Sequence, residues 1–161
     1  MSTLQNIMVY IDGTEQSVTA AQYAICLASS YHADLYALYV INTRAIDDLL
    51  KAHIFLQDEQ TEYESDLEND AERYLNYVNE LAVKKGVTLI RKSSKGSVHK
   101  QIVEAIKQND IDLLVIGELS RIRSRRDEFY DETERAMRTA PCSVLIVKDE
   151  DKVWNMYEAL V

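Results

Sequence analysis

DLLVIGELSRIRSRRDEFYDETERAMRTAPCSVLIVK, from Asp112 to Lys148, is the stretch on which the fold turns. It opens with a continuous apolar run, Asp112 to Gly117, and passes through a polar loop into a segment with helical spacing, Glu128 to Thr139. It leaves through Pro141 into a second apolar run, Ser143 to Lys148. A strand ending in glycine, a loop, a helix and a further strand form the frame in which a helix N-terminus holds a phosphate group. Yet Gly117 is the one glycine in it. Frame and content disagree, and that disagreement governs the functional reading.

Outward from this stretch, three more apolar, β-branched runs read as strands: Asn6 to Ile11, Asp34 to Ile41 and Val87 to Lys92. Between the strands lie segments with helical spacing. Thr14 to Ser30 carries Val18, Ala21, Ile25 and Ala28 on one face, and Val98 to Gln108 carries Ile102, Val103 and Ile106. Thr61 to Lys85 repeats Tyr63, Leu67, Ala71, Tyr74, Val78 and Leu81 at steps of three and four. Alternating strands and helices, with strands nearly continuous in apolar residues, predict an α/β fold: a parallel sheet covered on both faces, a three-layer sandwich. Asn42 to Gln60 is extra, and Ile46, Leu49, Leu50 and Ile54 give it an amphipathic pattern. It reads either as a packed connection or as a lid over the sheet's edge.

The 161 residues fit one domain with a substantial core. Apolar and charged fractions of 47% and 28% place it among ordinary soluble proteins. A net charge of −9 argues against nucleic acid as a partner, which needs a broad basic face. No apolar run approaches the roughly 20 residues that span a bilayer. The N-terminal MSTLQNIMVYID lacks the basic region and cleavage site of a secretory signal, so the expected location is cytoplasmic. Cys26 and Cys142, in apolar segments without CxxC spacing, read as reduced thiols. His32, His53 and His99 lack metal-ligand spacing, so no metal is expected. His99 reads as a surface or capping residue. Ser17, Ser97 and Ser120 show no nearby base in the sequence and no GxSxG surrounds any of them, so no catalytic residue is assigned.

IMVYIDGTEQS, Ile7 to Ser17, is a strand running through Asp12-Gly13 into a helix. An aspartate there can accept hydrogen bonds from a base or ribose in the crevice outside the sheet. Alternatively, Asp12 and Thr14 only cap the helix that follows. A strand ending in DG(S/T)xxS, the DLLVIG strand and a final APCSVLIVK strand, in this order and spacing, together resemble the universal stress protein family from Asn6 to Lys148. The resemblance implies a five-stranded, parallel, doubly wound, Rossmann-like sheet of order 3-2-1-4-5, with its crevice between Asp12 and Gly117. It also implies a family domain over residues 1–148, followed by an extension over 149–161, and a homodimer formed through the last strand, Ser143 to Lys148. In the extension, Val153, Tyr157 and Val161, with Trp154 and Leu160, form an apolar stripe expected to dock on the domain or across a dimer.

Many members of the family bind ATP through a motif G-x2-G-x9-G-(S/T) after the fourth strand. Gly117 fits its first position. Ser120 then stands at the second glycine, and Tyr130 and Asp131 stand where glycine and serine or threonine would follow. Positions that would touch adenine and ribose fall at Tyr10, Asp12, Val40, Ile116 and Gly117. Asp12, Val40 and Gly117 match, and Tyr10 is bulkier than usual. Glycines let a backbone approach a phosphate closely. Tyr130 removes that freedom, and Asp131 replaces a donor with an acceptor. Two like charges about 4 Å apart at an effective dielectric of about 20 repel by roughly 4 kcal/mol, about three decades in affinity. Asp127, Glu128, Asp131 and Glu132 crowd the first turns of the helix and complement its dipole themselves.

Arg121, Arg123, Arg125 and Arg126 crowd the same loop of an otherwise acidic chain. They fit local ion pairs, an acidic protein partner or subunit, or a phosphorylated ligand held by side chains. The sequence therefore yields a vestigial nucleotide site at Asp12, Val40, Ile116, Gly117 and Ser120, with Arg121 and Arg123 as anion contacts. The expected function is a regulatory module of the stress response, not an enzyme, which acts through contacts with a regulatory protein partner. It holds no cofactor, or ATP or AMP weakly. The alternative is a protein that binds AMP, adenosine or ATP in the crevice between Asp12 and Gly117.

Overall fold

A computed structural model describes residues 3–52, 57–119 and 128–161. The elements in chain order are β1 (Asn6–Ile11), α1 (Glu15–Tyr31), β2 (Asp34–Ile41), α2 (Thr43–Lys51), α3 (Gln57–Val83), β3 (Leu89–Lys95), α4 (Val98–Gln108), β4 (Leu113–Gly117), α5 (Glu128–Thr139), β5 (Ser143–Val147) and α6 (Glu150–Ala159). The five strands form one parallel sheet of order β3-β2-β1-β4-β5, as expected.

Side chains alternate across the sheet, as the two-residue strand period requires. Ile7, Val9 and Ile11 of β1 join Leu35, Ala37 and Val115 in a core beneath α1, α3 and α6. Met8 and Tyr10 join Leu38, Val40, Leu114 and Ile116 in a second core beneath α4 and α5. Burial on both faces explains why the inner strands read as unbroken apolar runs.

β3 departs from its expected span. It starts at Leu89 and runs on to Lys95, paired with β2 as far as Ile41↔Lys95. It is an edge strand with an exposed polar side, so Arg91-Lys92-Ser93-Ser94-Lys95 carries no apolar signal, yet it pairs fully. α3 begins earlier than expected, at Gln57, and stops at Val83. Gly86 follows with φ +71°, the left-handed position that favours glycine after a helix. Ile54 of the extra segment lies outside the described residues.

α6 lies on the first core. Val153 and Tyr157 are buried in it, and the Tyr157 hydroxyl donates to the Leu81 carbonyl at 2.7 Å. The Lys85 ammonium reaches the Leu160 carbonyl at 2.9 Å and so caps a helix that has no basic residue in its own last turn. The expected stripe is shorter than its spacing implied. The helix stops at Ala159, Val161 is fully exposed, and Trp154 is 47% exposed.

Candidate functional site

The ladder between β1 and β4 ends at Val9↔Val115. β1 continues to Ile11 alongside β2, and β4 continues to Gly117 alongside β5. The two strands part company at their carboxyl ends, which opens a crevice at the point where strand order reverses.

One lip is the turn after β1. Gly13 takes φ +85°, and a Cβ there would lie 2.9 Å from the Tyr74 ring, which also stacks on Tyr39 at 6.1 Å. Thr14 is the N-cap of α1 and accepts from the Ser17 amide at 3.2 Å. Asp12 does not cap the helix directly. Its Oδ1 accepts from the Thr14 amide at 3.0 Å and the Thr14 hydroxyl at 2.6 Å, and the residue stays exposed at the mouth of the crevice.

The other lip is Gly117. A Cβ on it would fall 2.5 Å from the Gln16 carbonyl oxygen, so α1 packs its first turn directly on the end of β4. The glycine is explained by that packing alone.

The α4 and α5 side of the crevice is filled. Tyr10, 7% exposed, is buried in the same cluster as Val40 and Ile116. Burial and then the charge of Asp12 push the Tyr10 phenol far above its ordinary range. Of the residues expected to form the nucleoside site, Val40 and Ile116 are buried on one face, Gly117 is half-buried, and Asp12 is exposed. Ser120, Arg121 and Arg123, with Arg125, Arg126 and Asp127, lie outside the described residues. Tyr130 and Asp131 fall in the first turn of α5.

Behind Tyr10 lies a polar cluster that the sequence did not reveal. Glu132 of α5 is 9% exposed. Its Oε2 accepts from the Ser97 hydroxyl at 3.0 Å and the His99 amide at 3.1 Å, and lies 2.5 Å from His99 Nδ1. Ser97 is the N-cap of α4 but makes no capping bond of its own, so Glu132 caps α4 from a neighbouring helix. Burial would push the Glu132 carboxyl up, but hydrogen bonds from the His99 ring, the His99 amide and Ser97 hold it below its ordinary value. Glu132 Oε2 thus accepts at the N-terminus of α4. His99 Nδ1 also lies 3.1 Å from the Ser97 hydroxyl oxygen, but its hydrogen bond goes to Glu132, so it is no base for Ser97. The one Glu132 oxygen bonds both groups, so the arrangement is a cap and not an aligned nucleophile and base. His99 is the residue capped here and not the cap, its amide and ring both bonding Glu132.

Both cysteines are free thiols, Cys26 buried and Cys142 half-buried. Among the described residues no group of three or more metal-ligating side chains converges.

The sequence model of the Universal stress protein family matches residues 3–148. The chain belongs to that family. A universal stress protein of Methanocaldococcus jannaschii is 28% identical over 149 residues, covering 92% of this chain and 84% of the relative. A solved structure from the universal stress protein family of Burkholderia pseudomallei superposes with a TM-score of 0.72 at 20% identity, covering 92% of this chain and 99% of that one. A universal stress protein solved in complex with cAMP superposes at 0.66 with 22% identity, covering 91% and 99%. α6 (Glu150–Ala159) follows the residues that the family model matches.

Proposed function

We propose that this universal stress protein is a regulatory module that acts through protein contacts and does not hold ATP in the family's usual way. The observation that carries the reading is Tyr10, whose ring is buried with Val40 and Ile116 where the resemblance would seat the base. Two further features point the same way. Asp131 stands in the first turn of α5, where a triphosphate would need donors, and Gly117 is already closed by the Gln16 carbonyl. The residues present do not fit a conventionally bound ATP.

Protein contact has a candidate surface in β5. It pairs on one side with β4 in the sheet order, and Ile146 is 38% exposed, with Val144 and Leu145 half-buried. An apolar edge strand of this kind supports a homodimer through Ser143 to Lys148. The reading divides the chain into a family domain over residues 1–148 and an extension over 149–161. It places the protein in the cytoplasm, and no described helix is long and apolar enough to cross a membrane. A thermal-shift titration with Mg-ATP is the test. A flat melting temperature at sub-millimolar ATP is expected, and stabilisation by several degrees would overturn the reading.

A second reading is favoured by Asp12, exposed at the mouth of the crevice, and by the related structure solved with cAMP. In it, a nucleoside or monophosphate rests against Asp12 and Gly117 without a triphosphate site. Calorimetry with AMP and adenosine separates the two, since saturable heat with either favours the second.

A further inference from the structure

α6 does more than cover α1. Between α1, α3 and α6 lies a groove of about 360 Å³, with Tyr77 and Trp154 as aromatic walls, Glu15, Glu150 and Asp151 around it, and Gln22 in its floor. Trp154, the only tryptophan, is 47% exposed, and Tyr77 is 46% exposed. Among the described residues the side chains of Glu15, Glu150 and Asp151 make no ion pair. Gln22 is 5% exposed, yet its side-chain amide makes no hydrogen bond among them. Gln22 is buried as a residue, yet its side-chain amide is not among the fully buried unpartnered atoms, so the surface it keeps is open to something that enters the groove.

Glu150 and Asp151 also favour the dipole of α6, which accounts for acids in its first turn. That does not account for a half-exposed indole beside them or for the open amide of Gln22. The negative surface continues past Tyr77 to Glu72 and Glu80, while Arg73 beside them is neutralised by Asp70 at 2.8 Å.

We propose that this groove docks a basic segment of a partner protein, with an arginine side chain entering between Trp154 and Tyr77. A guanidinium is planar and weakly hydrated. It stacks on aromatic faces, bonds carboxylates with two parallel N–H groups, and has further N–H groups for the Gln22 carbonyl. Exposed tryptophan and tyrosine are the residue types that dominate binding energy at protein interfaces. Trp154, Glu150 and Asp151 come from α6, which follows the residues that the family model matches. The inference rests on the reading of the chain as a protein-contact module and gives the partner its chemistry. The crevice takes no part in it, so its test and the Mg-ATP titration fail separately.

The test is a titration of the full chain with a short acetylated and amidated peptide carrying two arginines. It is followed by Trp154 emission and by calorimetry. A saturable emission change at low salt is expected, fading as salt is raised. Affinity should fall by about tenfold in Trp154→Ala and in the surface double variant Glu150→Gln with Asp151→Asn, without loss of the folded baseline. Absence of heat and of any emission change at millimolar peptide overturns the proposal. So does binding that both variants leave unchanged, or equal binding of the same peptide with glutamates in place of arginines.

Discussion

Glu132 on α5 accepts the backbone amide hydrogen of His99 on α4 at 3.1 Å, so one helix is capped by a side chain from its neighbour. A cap of this kind joins the helix that follows the crevice loop to the helix that follows β3. Removing the carboxylate leaves the His99 amide and the Ser97 hydroxyl without their acceptor in a poorly hydrated place. Glu132→Ala is expected to destabilise by about 1–3 kcal/mol, or roughly 2–4 °C in melting temperature per kcal/mol for a chain of this size. Glu132→Gln keeps one acceptor oxygen and should lose less. Urea unfolding of both variants checks the order, and an alanine variant as stable as the parent would remove the cap from the account.

The same cap has a pH signature. The Glu132 carboxyl is held below its ordinary value in the folded state, so the unfolded chain binds the proton more readily. Its contribution is therefore present above the ordinary carboxylate range and is lost as pH falls through the folded value. The groups that face it include the His99 ring, Arg135 at 3.9 Å and Tyr10. The stability gap between the parent and Glu132→Gln should narrow steadily from about pH 7 to about pH 3. Unfolding midpoints at a series of pH values measure it, and a gap that widens on acidification contradicts the assignment.

Gly117 and Gly86 separate two reasons for a glycine. At Gly117 a methyl group would meet the Gln16 carbonyl oxygen at 2.5 Å, so Gly117→Ala must push α1 off β4 and is expected to cost about 2–3 kcal/mol. Truncating Gln16 to alanine should not rescue it, because the obstructing atoms are its carbonyl and Cβ, which alanine keeps. Gly86 has open space around it but φ +71°, and Gly86→Ala is expected to cost about 1 kcal/mol through the left-handed backbone alone. Denaturant midpoints for the two variants should differ in that order.

Much of this architecture is legible in the sequence, for physical reasons that can be located. β1 and β2 were readable to the residue because both their faces are buried and apolar residues run unbroken. The polar end of β3 was not, because its residues from Arg91 to Lys95 are mostly exposed on both faces and are held by the ladder to β2 rather than by burial. Asp12 and Gly117 announce themselves locally, as residues that end strands. The Glu132 cap does not, since Ser97, His99 and Glu132 meet only once α4 packs beside α5. Likewise Gln22 gives no sign in the sequence. Only the seating of α6 and Tyr77 around it turns a helical glutamine into the floor of a groove.

Tyr157 ties α6 to the body of the protein. Its hydroxyl donates to the buried Leu81 carbonyl at 2.7 Å, and its ring lies under the Lys85 ammonium at 4.9 Å from the centroid. Tyr157→Phe keeps the ring and deletes one hydrogen bond, so about 1 kcal/mol is expected. Tyr157→Ala also empties a core position and should cost about 3–5 kcal/mol. Proteolysis under native conditions should then cut residues 149–161 first in the alanine variant. Equal resistance in the parent and Tyr157→Ala would show that the ring does not anchor the helix.

Tyr10 offers the most direct test of the proposal that the base position in the crevice is filled. Its ring is packed with Val40 and Ile116, so Tyr10→Val removes volume from a filled site and is expected to destabilise by about 2–4 kcal/mol. If that volume is where a base would sit, the variant gains a cavity of the right place and polarity, with Asp12 at its mouth. Adenosine is the informative probe, because it has no phosphates and so reports on the base position alone. Saturating adenosine should raise the melting temperature of Tyr10→Val and leave the parent unmoved, the gain following the logarithm of ligand concentration over its dissociation constant. A variant that loses stability but gains no response to adenosine would place the block elsewhere, with the Gln16 carbonyl packed on Gly117 the next position to open.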